Sequence, residues 1–182
     1  MKRLCIIPAR GGSKRLPRKN VKLLNGKPLI FYTLDSVIAS KVFNKIIFTS
    51  DDDEILKVVS DNYSSKVLDV VKRPAELATD TSKVIDTVLH FLDDEYEQTW
   101  LTLPTSPMKI ADDFTEASKL LSDDSDSVLS FTEMEFPPTL GLTVDKHNTI
   151  KDYDASEPWQ HGNSRSQDHP TVYRPNGAIY GS

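Results

Sequence analysis

Apolar positions along this 182-residue chain fall into short bounded runs of two alternating kinds. "RLCIIP", residues 3–8, is a continuous apolar stretch closed by Pro8, the pattern of a strand buried on both faces. "KPLIFYTLDSVIAS" then places Leu29, Ile30, Thr33, Leu34, Val37 and Ile38 at helical spacing behind Pro28. "NKIIFTS" predicts a second strand. In "DDDEILKVVSDN" acidic residues crowd the first turn of a helix, where the dipole favours them, and Ile55, Leu56, Val58 and Val59 form its apolar face. "KVLDVV" reads as a third strand, and "TSKVIDTVLHFLDDE" as a helix capped by Thr81 or Ser82. "TWLTLP", "ADDFTEASKLLSD" and "DSVLSFT" continue as strand, helix and strand. This succession predicts an α/β fold over 1–182, a mostly parallel sheet with helices on both faces.

The texture changes after Phe136. "FPPTLGLTVDKHNTIKDYD" predicts a hairpin turning at "DKHN", and "ASEPWQHGNSRSQDHPTV" is polar and aperiodic. Residues 137–172 are therefore expected to form an excursion from the domain or a loop over a site. "AIY", near the end, starts a further strand.

Composition narrows the function. A formal net charge of -5 argues against general nucleic-acid binding, which needs a broad basic surface. The single cysteine, Cys5, permits no internal disulfide and reads as a packed core thiol. His90, His147, His161 and His169 show no zinc-ligand spacing. The first apolar run is too short for a signal peptide and no run reaches membrane-spanning length, so a cytoplasmic protein with no membrane partner is expected.

Against this acidic background stands "IIPARGGSKRLPRKN", residues 6–20, a basic loop following the first strand. Ligands of parallel sheets bind outside the carboxyl ends of the strands, where this loop begins. Gly11 and Gly12 allow close backbone approach, Ser13 offers a hydroxyl, and Lys14, Arg18 and Lys19 can reach phosphate oxygens. The spacing is neither GxxxxGK[ST] nor GxGxxG, which disfavours an ATPase or a dinucleotide enzyme.

The loop, followed by "GKPLI", resembles that of the CMP-sialic acid synthetase family, the cytidylyltransferases that activate nonulosonic acids. The resemblance extends through "TSDDDEI", "RPAELATDTS", "LPTSP" and "YRPNGAIY". It implies a Rossmann-like nucleotidyltransferase that transfers CMP from CTP to the anomeric hydroxyl of a nonulosonic acid, with Mg2+ as cofactor and release of pyrophosphate. On matching positions it implies that Ala9, Arg10, Gly11, Gly12, Ser13, Lys14, Lys19 and Asn20 hold CTP, with Arg10 or Lys14 stabilising the transition state. It implies that Arg73 and Ser82 read cytosine. Leu103, Thr105, Ser106, Arg165, Gln167, Asn176 and Tyr180 would face the sugar. Leu103 departs from the glutamine usual before this proline, and in "SRSQD" the family's Arg-Gln pair is split.

The resemblance further implies a homodimer built through the 137–172 excursion, which contains Trp159. It also implies an Asp-x-Asp metal pair on a strand beyond Ser182, so that the chain reads as truncated before its metal segment. The alternative is a CTP-binding relative with little or no turnover. The acceptor stays open among N-acetylneuraminate, legionaminate and pseudaminate.

Overall fold

The first strand, β1 (Arg3–Pro8), lies at the centre of a six-stranded sheet. Its residues Leu4, Cys5, Ile6 and Ile7 are all at most 1% exposed, as a strand covered on both faces requires. Successive side chains separate the two faces. Cys5 and Ile7 enter a large apolar cluster, whereas Leu4 and Ile6 enter a smaller one. The computed structural model describes residues 1–13, 16–122, 125–136, 138, 141–152 and 170–182. Its contacts divide the chain into a larger unit, Met1–Ser130 with Gly177–Ser182, and a smaller one, Phe131–Asn176.

In the larger unit, β2 (Leu23–Leu24) and β3 (Lys27–Pro28) form a small hairpin. Its turn is Asn25–Gly26, both at positive φ (48° and 78°), the geometry for which Asn-Gly is suited. Helix α1 (Leu29–Ser40) follows, with Pro28 at its N-cap and Lys41 left-handed at its end. Then come β4 (Lys45–Ser50), α2 (Asp53–Ser60), β5 (Asp69–Lys72), α3 (Val84–His90), β6 (Gln98–Leu101) and α4 (Ala111–Leu120). The last strands of the sheet are β7 (Val128–Glu133) and β10 (Tyr173–Gly181), of which only residues 128–130 and 177–181 belong to this unit, and the sheet order is β5-β4-β1-β6-β10-β7. β1 pairs in parallel with β4 and β6, and β4 with β5, whereas β10 runs antiparallel to β6. The predicted mostly parallel sheet is therefore present, with an antiparallel addition.

One face of the sheet carries Ile30, Leu34 and Val37 of α1, Ile55 and Val59 of α2 and Phe114 of α4, packed around Phe48 and Trp100. The other face receives Val88 of α3. Full burial of each such side chain contributes about 1.5–3 kcal/mol.

Two boundaries differ from the sequence reading. Neither Thr81 nor Ser82 caps α3. The helix starts at Val84, the Asp86 carboxylate accepts from the Lys83 amide (3.2 Å), and the Ser82 hydroxyl is used in the preceding turn. β6 ends at Leu101, so "LP" already belongs to the loop that leaves the sheet.

Gly181 has a packing reason. A Cβ built there would lie 2.7 Å from the Trp100 ring, and Trp100 is fully buried. Gly181→Ala should therefore cost about 1–3 kcal/mol through overpacking. Urea denaturation measures it, and an unchanged midpoint would contradict the packing described.

In the smaller unit β8 (Leu142–Val144) and β9 (Ile150–Asp152) form the expected hairpin. Its turn is held by Asp145, whose carboxylate accepts from the His147 and Thr149 amides (2.8 and 3.0 Å), with Asn148 left-handed. Most of the rest of the predicted excursion, including Trp159, lies outside the described residues.

Candidate active site

After β1 the chain builds outward to β4 and β5 on one side, and later returns to place β6 on the other. Such a reversal of strand order opens a crevice at the carboxyl ends of the two central strands. The crevice is present as two adjoining cavities. One, about 340 Å³, is lined by Pro8, Arg10, Ser13, Lys19, Asn20, Leu103, Pro104 and Thr105. The other, about 180 Å³, shares Pro8, Arg10 and Leu103 and adds residues that include Arg73, Thr79, Ser82 and Thr87.

The first cavity adjoins the glycine loop and carries Arg10 and Lys19. Lys19 and Asn20 begin a short 3-10 turn, and the Asn20 amide donates to the Arg10 carbonyl at 2.8 Å. The Asn20 side-chain oxygen is buried without a hydrogen-bond partner. The glycine loop is held from below by the start of α2. The Gly11 amide donates to Asp51 at 3.0 Å, and the Ser13 amide to the Gly11 carbonyl at 2.9 Å. Asp52 accepts from the Glu54 and Ile55 amides, which caps α2 as its acidic first turn anticipates. Burial acts to raise the Asp52 carboxyl. Hydrogen bonds from Ile55 and Glu54 and the nearby Arg18 outweigh it and hold the group below the usual carboxylate range.

Arg18 has partners that the sequence does not show: it is paired with Asp52 (2.6 Å) and with Glu54, so its guanidinium ties the loop to α2. Ala9 is buried at 1% exposure, its amide donates to the Thr49 carbonyl (2.9 Å), and it lines neither cavity. Gly12 is exposed, and its carbonyl accepts from Arg10. Lys14 lies outside the described residues, as do Arg165 and Gln167.

Arg10 spans the two cavities. Its guanidinium donates to the Thr79 carbonyl (3.0 Å) and the Gly12 carbonyl (2.9 Å) and sits 3.3 Å from Asp80. It therefore bridges the glycine loop to the "ELATDTS" turn. In that turn the Ser82 hydroxyl donates to the Glu76 carbonyl (2.8 Å) and lies 2.6 Å from the Thr79 hydroxyl.

The second cavity holds a buried cation. Arg73, 6% exposed, donates to the Thr49 carbonyl at 3.1 Å, and its Nε has no hydrogen-bond partner. Burial lowers its affinity for the proton, Asp51 opposes this, and the like charge of Arg10 adds to it. The Thr87 hydroxyl is buried in the same cavity and is also unpartnered. Buried polar groups are nearly always satisfied, so two unmatched polar atoms on residues lining one cavity make it a candidate place for a polar ligand. Thr87 was missed in the sequence, where it reads only as a core-facing helix position. Thr79 lies inside a quoted motif but carried no signal of its own.

The Leu103–Ser106 segment forms the wall opposite the glycine loop. Leu103 lines both cavities and Thr105 the larger one, while half-buried Ser106 lines neither. Gly177, at φ 74°, passes close to this wall. A Cβ there would lie 3.5 Å from Leu103 and 3.9 Å from the Tyr180 hydroxyl, which places Tyr180 beside the wall rather than in it. Asn176 belongs to the smaller unit, where its amide donates to the Phe131 carbonyl (3.1 Å) and to Thr132 (3.2 Å).

Behind the wall, Lys109 is 7% exposed, and burial, partly opposed by Cys5 and Asp113, lowers its pKa to about 8. A free lysine titrates near ~10.4, so between these values the unfolded chain carries the extra proton. The penalty of the buried charge is thus fully present below pH 8 and is relieved as pH rises through that window. Wild-type stability relative to Lys109→Met should rise by about 3 kcal/mol between pH 7.5 and 10.5. Urea melts at the two pH values measure this, and a constant difference would refute it.

No group of three or more His, Cys, Asp or Glu side chains suited to a metal ion is present among the described residues. The carboxylates nearest the glycine loop are engaged, Asp51 by the Gly11 amide and Asp52 by the cap and Arg18. These residues do not fit a protein-held Mg2+ site. No helix among the described residues is long and apolar enough to cross a membrane.

A mostly parallel sheet with a basic glycine loop at its switch point and a buried polar cavity beside it defines an α/β nucleotidyltransferase architecture. The cytidylyltransferase family profile matches residues 4–178, and the chain belongs to that family. It is 39% identical to an N-acylneuraminate cytidylyltransferase of Streptococcus agalactiae serotype V, over 99% of this chain and 43% of the relative. It is 34% identical to a pseudaminic acid cytidylyltransferase of Campylobacter jejuni serotype O:2, over 99% of this chain and 78% of that one. The chain thus spans less than half the length of the streptococcal relative. Among solved structures, CMP:2-keto-3-deoxy-manno-octonic acid synthetase complexed with CTP matches with a TM-score of 0.68. That match covers 100% of this chain and 73% of that one at 18% identity, a likeness of fold.

Proposed function

We propose that this chain carries the nucleotide site of a cytidylyltransferase that transfers CMP from CTP to the anomeric hydroxyl of a nonulosonic acid. The observation that carries the reading is the pair of adjoining cavities: cations Arg10 and Lys19 at the first, and unpartnered Arg73 Nε and Thr87 Oγ1 at the second. The first suits a triphosphate. The second suits the polar edge of a pyrimidine, to which a guanidinium donates and a hydroxyl donates or accepts.

In this reading the acceptor oxygen attacks the α-phosphorus from the side of the Leu103–Thr105 wall. A new O–P bond forms, the bond to pyrophosphate breaks, and the hydroxyl proton passes to water. Arg10 and Lys19, with Lys14, stabilise the charge that grows on the phosphates, and the rigid sheet edge supplies orientation. Family resemblance assigns Mg2+ to charge neutralisation on the triphosphate.

Pyrophosphate release measured with CTP, Mg2+ and each of N-acetylneuraminate, pseudaminate and legionaminate tests the reaction. Release dependent on one acceptor is expected. CTP binding without release from any acceptor would favour a nucleotide-binding relative. At the base end, Arg73→Met should retain the fold, since an apolar side chain of similar size replaces a buried charge. It should weaken CTP binding about tenfold or more. Equal CTP affinity in the variant would remove Arg73 from the site.

A further inference from the structure

Lys109 lines neither cavity, yet it is buried two residues before α4 and touches the wall that lines both. Its ammonium donates to the Leu103 carbonyl at 2.6 Å. Its own carbonyl is held from α1, where the Ser36 hydroxyl lies 2.7 Å away and is shared with the Tyr32 carbonyl at 2.8 Å. The residue thus fastens the "LPTSPM" turn at two points, one to the helix layer and one across to the turn's first residue. A buried ammonium is a costly way to stabilise a turn, because an apolar side chain of the same length would fill the space at less expense. What the ammonium adds is a fixed direction for the Leu103 carbonyl, and so for the Leu103, Pro104 and Thr105 surface at the cleft.

We propose that Lys109 is a positioning residue for the acceptor, acting through the Leu103 carbonyl to hold the Leu103–Thr105 wall in register with the bound nucleotide. This rests on the reading of the cleft as a CTP and nonulosonate site. It gives the Leu103–Thr105 wall, which borders both cavities, a support separate from that of the glycine loop. The glycine loop is tied to α2 through Asp51 and Asp52, whereas the opposite wall is tied through Lys109 to α1. Loss of Lys109 should therefore loosen this wall and leave the glycine loop tied.

Calorimetric titration of the full chain, wild type, Lys109→Met and Lys109→Arg, separates the two halves. The probes are CTP and three products: CMP-N-acetylneuraminate, CMP-pseudaminate and CMP-legionaminate. For the product the wild type binds, Lys109→Met is expected to weaken affinity at least tenfold, and CTP affinity, since the same wall borders its cavities, by no more than about threefold. Lys109→Arg, which keeps a cationic donor, is expected to recover most of the loss. Ser36→Ala, which releases the same turn from α1, is expected to show the same split at a few-fold and serves if Lys109→Met does not fold. Equal losses for CTP and product, no loss for either, or a split that arginine does not rescue would overturn the proposal. So would a wild type that binds CTP but none of the three products. Failure of the wild type to bind CTP would instead overturn the reading of the cleft on which the proposal rests.

Discussion

Arg10→Ala is expected to lower CTP affinity or turnover by about a hundredfold or more, while the melting temperature changes little. The side chain reaches across the cleft from the loop after β1 and is held at three points: the Gly12 carbonyl, the Thr79 carbonyl and Asp80. Its removal takes a positive charge from the phosphate end and separates the glycine loop from the turn that borders the base cavity. The partners freed by the substitution are backbone carbonyls and a carboxylate near solvent, which water can satisfy, so the fold should survive. Arg10→Lys should recover only a small part of the loss, because an ammonium cannot reproduce the planar fork that meets several acceptors at once. Isothermal titration and pyrophosphate release check this. A variant within threefold of wild type would mean that Arg10 braces the loops without meeting the nucleotide.

Gly11→Ala is the second large effect. A Cβ at Gly11 would sit 2.6 Å from an Asp52 carboxylate oxygen and 2.7 Å from the Asp52 Cβ. Asp52 cannot easily retreat, because it caps α2 and is paired with Arg18. The loop must therefore lift, which breaks the hydrogen bond from the Gly11 amide to Asp51. About 1–3 kcal/mol of stability should be lost, together with at least a tenfold loss in CTP affinity. Gly12→Ala provides the internal control. The nearest atom to its Cβ would be Arg10 Nε at 3.9 Å, so its stability should change little. Similar losses at the two glycines would show that the loop is not fastened to α2 as described.

Much of this fold is legible in the sequence because the signals are local and agree with one another. The run "LCII" can be buried on both faces only in a central strand, and the acidic start of "DDDEILKVV" is both a cap and a dipole complement. The sequence also indicates where the site lies, since a basic glycine loop after the first strand falls at the switch point of the sheet. What it does not reveal are pairings set by tertiary contact. Arg18 reads as one more phosphate ligand, yet its left-handed backbone turns it toward Asp52 and Glu54. Thr87 and Lys109 show no motif, and their significance lies in burial with an unmet or single-acceptor hydrogen bond. One further local signal is Asn25-Gly26, between Leu24 and Lys27, which suits the β2–β3 turn. Ser82 satisfied the pattern of a cap, but the preceding turn uses its hydroxyl first.

The direct test of the central claim is a calorimetric titration of the chain with CTP in the presence of Mg2+, alongside UTP, ATP and GTP. The account predicts one saturable site for CTP, at least tenfold tighter than for the other three, and its weakening in Arg10→Ala. Binding of none of the four, or equal binding of purine and pyrimidine triphosphates, would contradict the assignment of the paired cavities to the triphosphate and the cytosine.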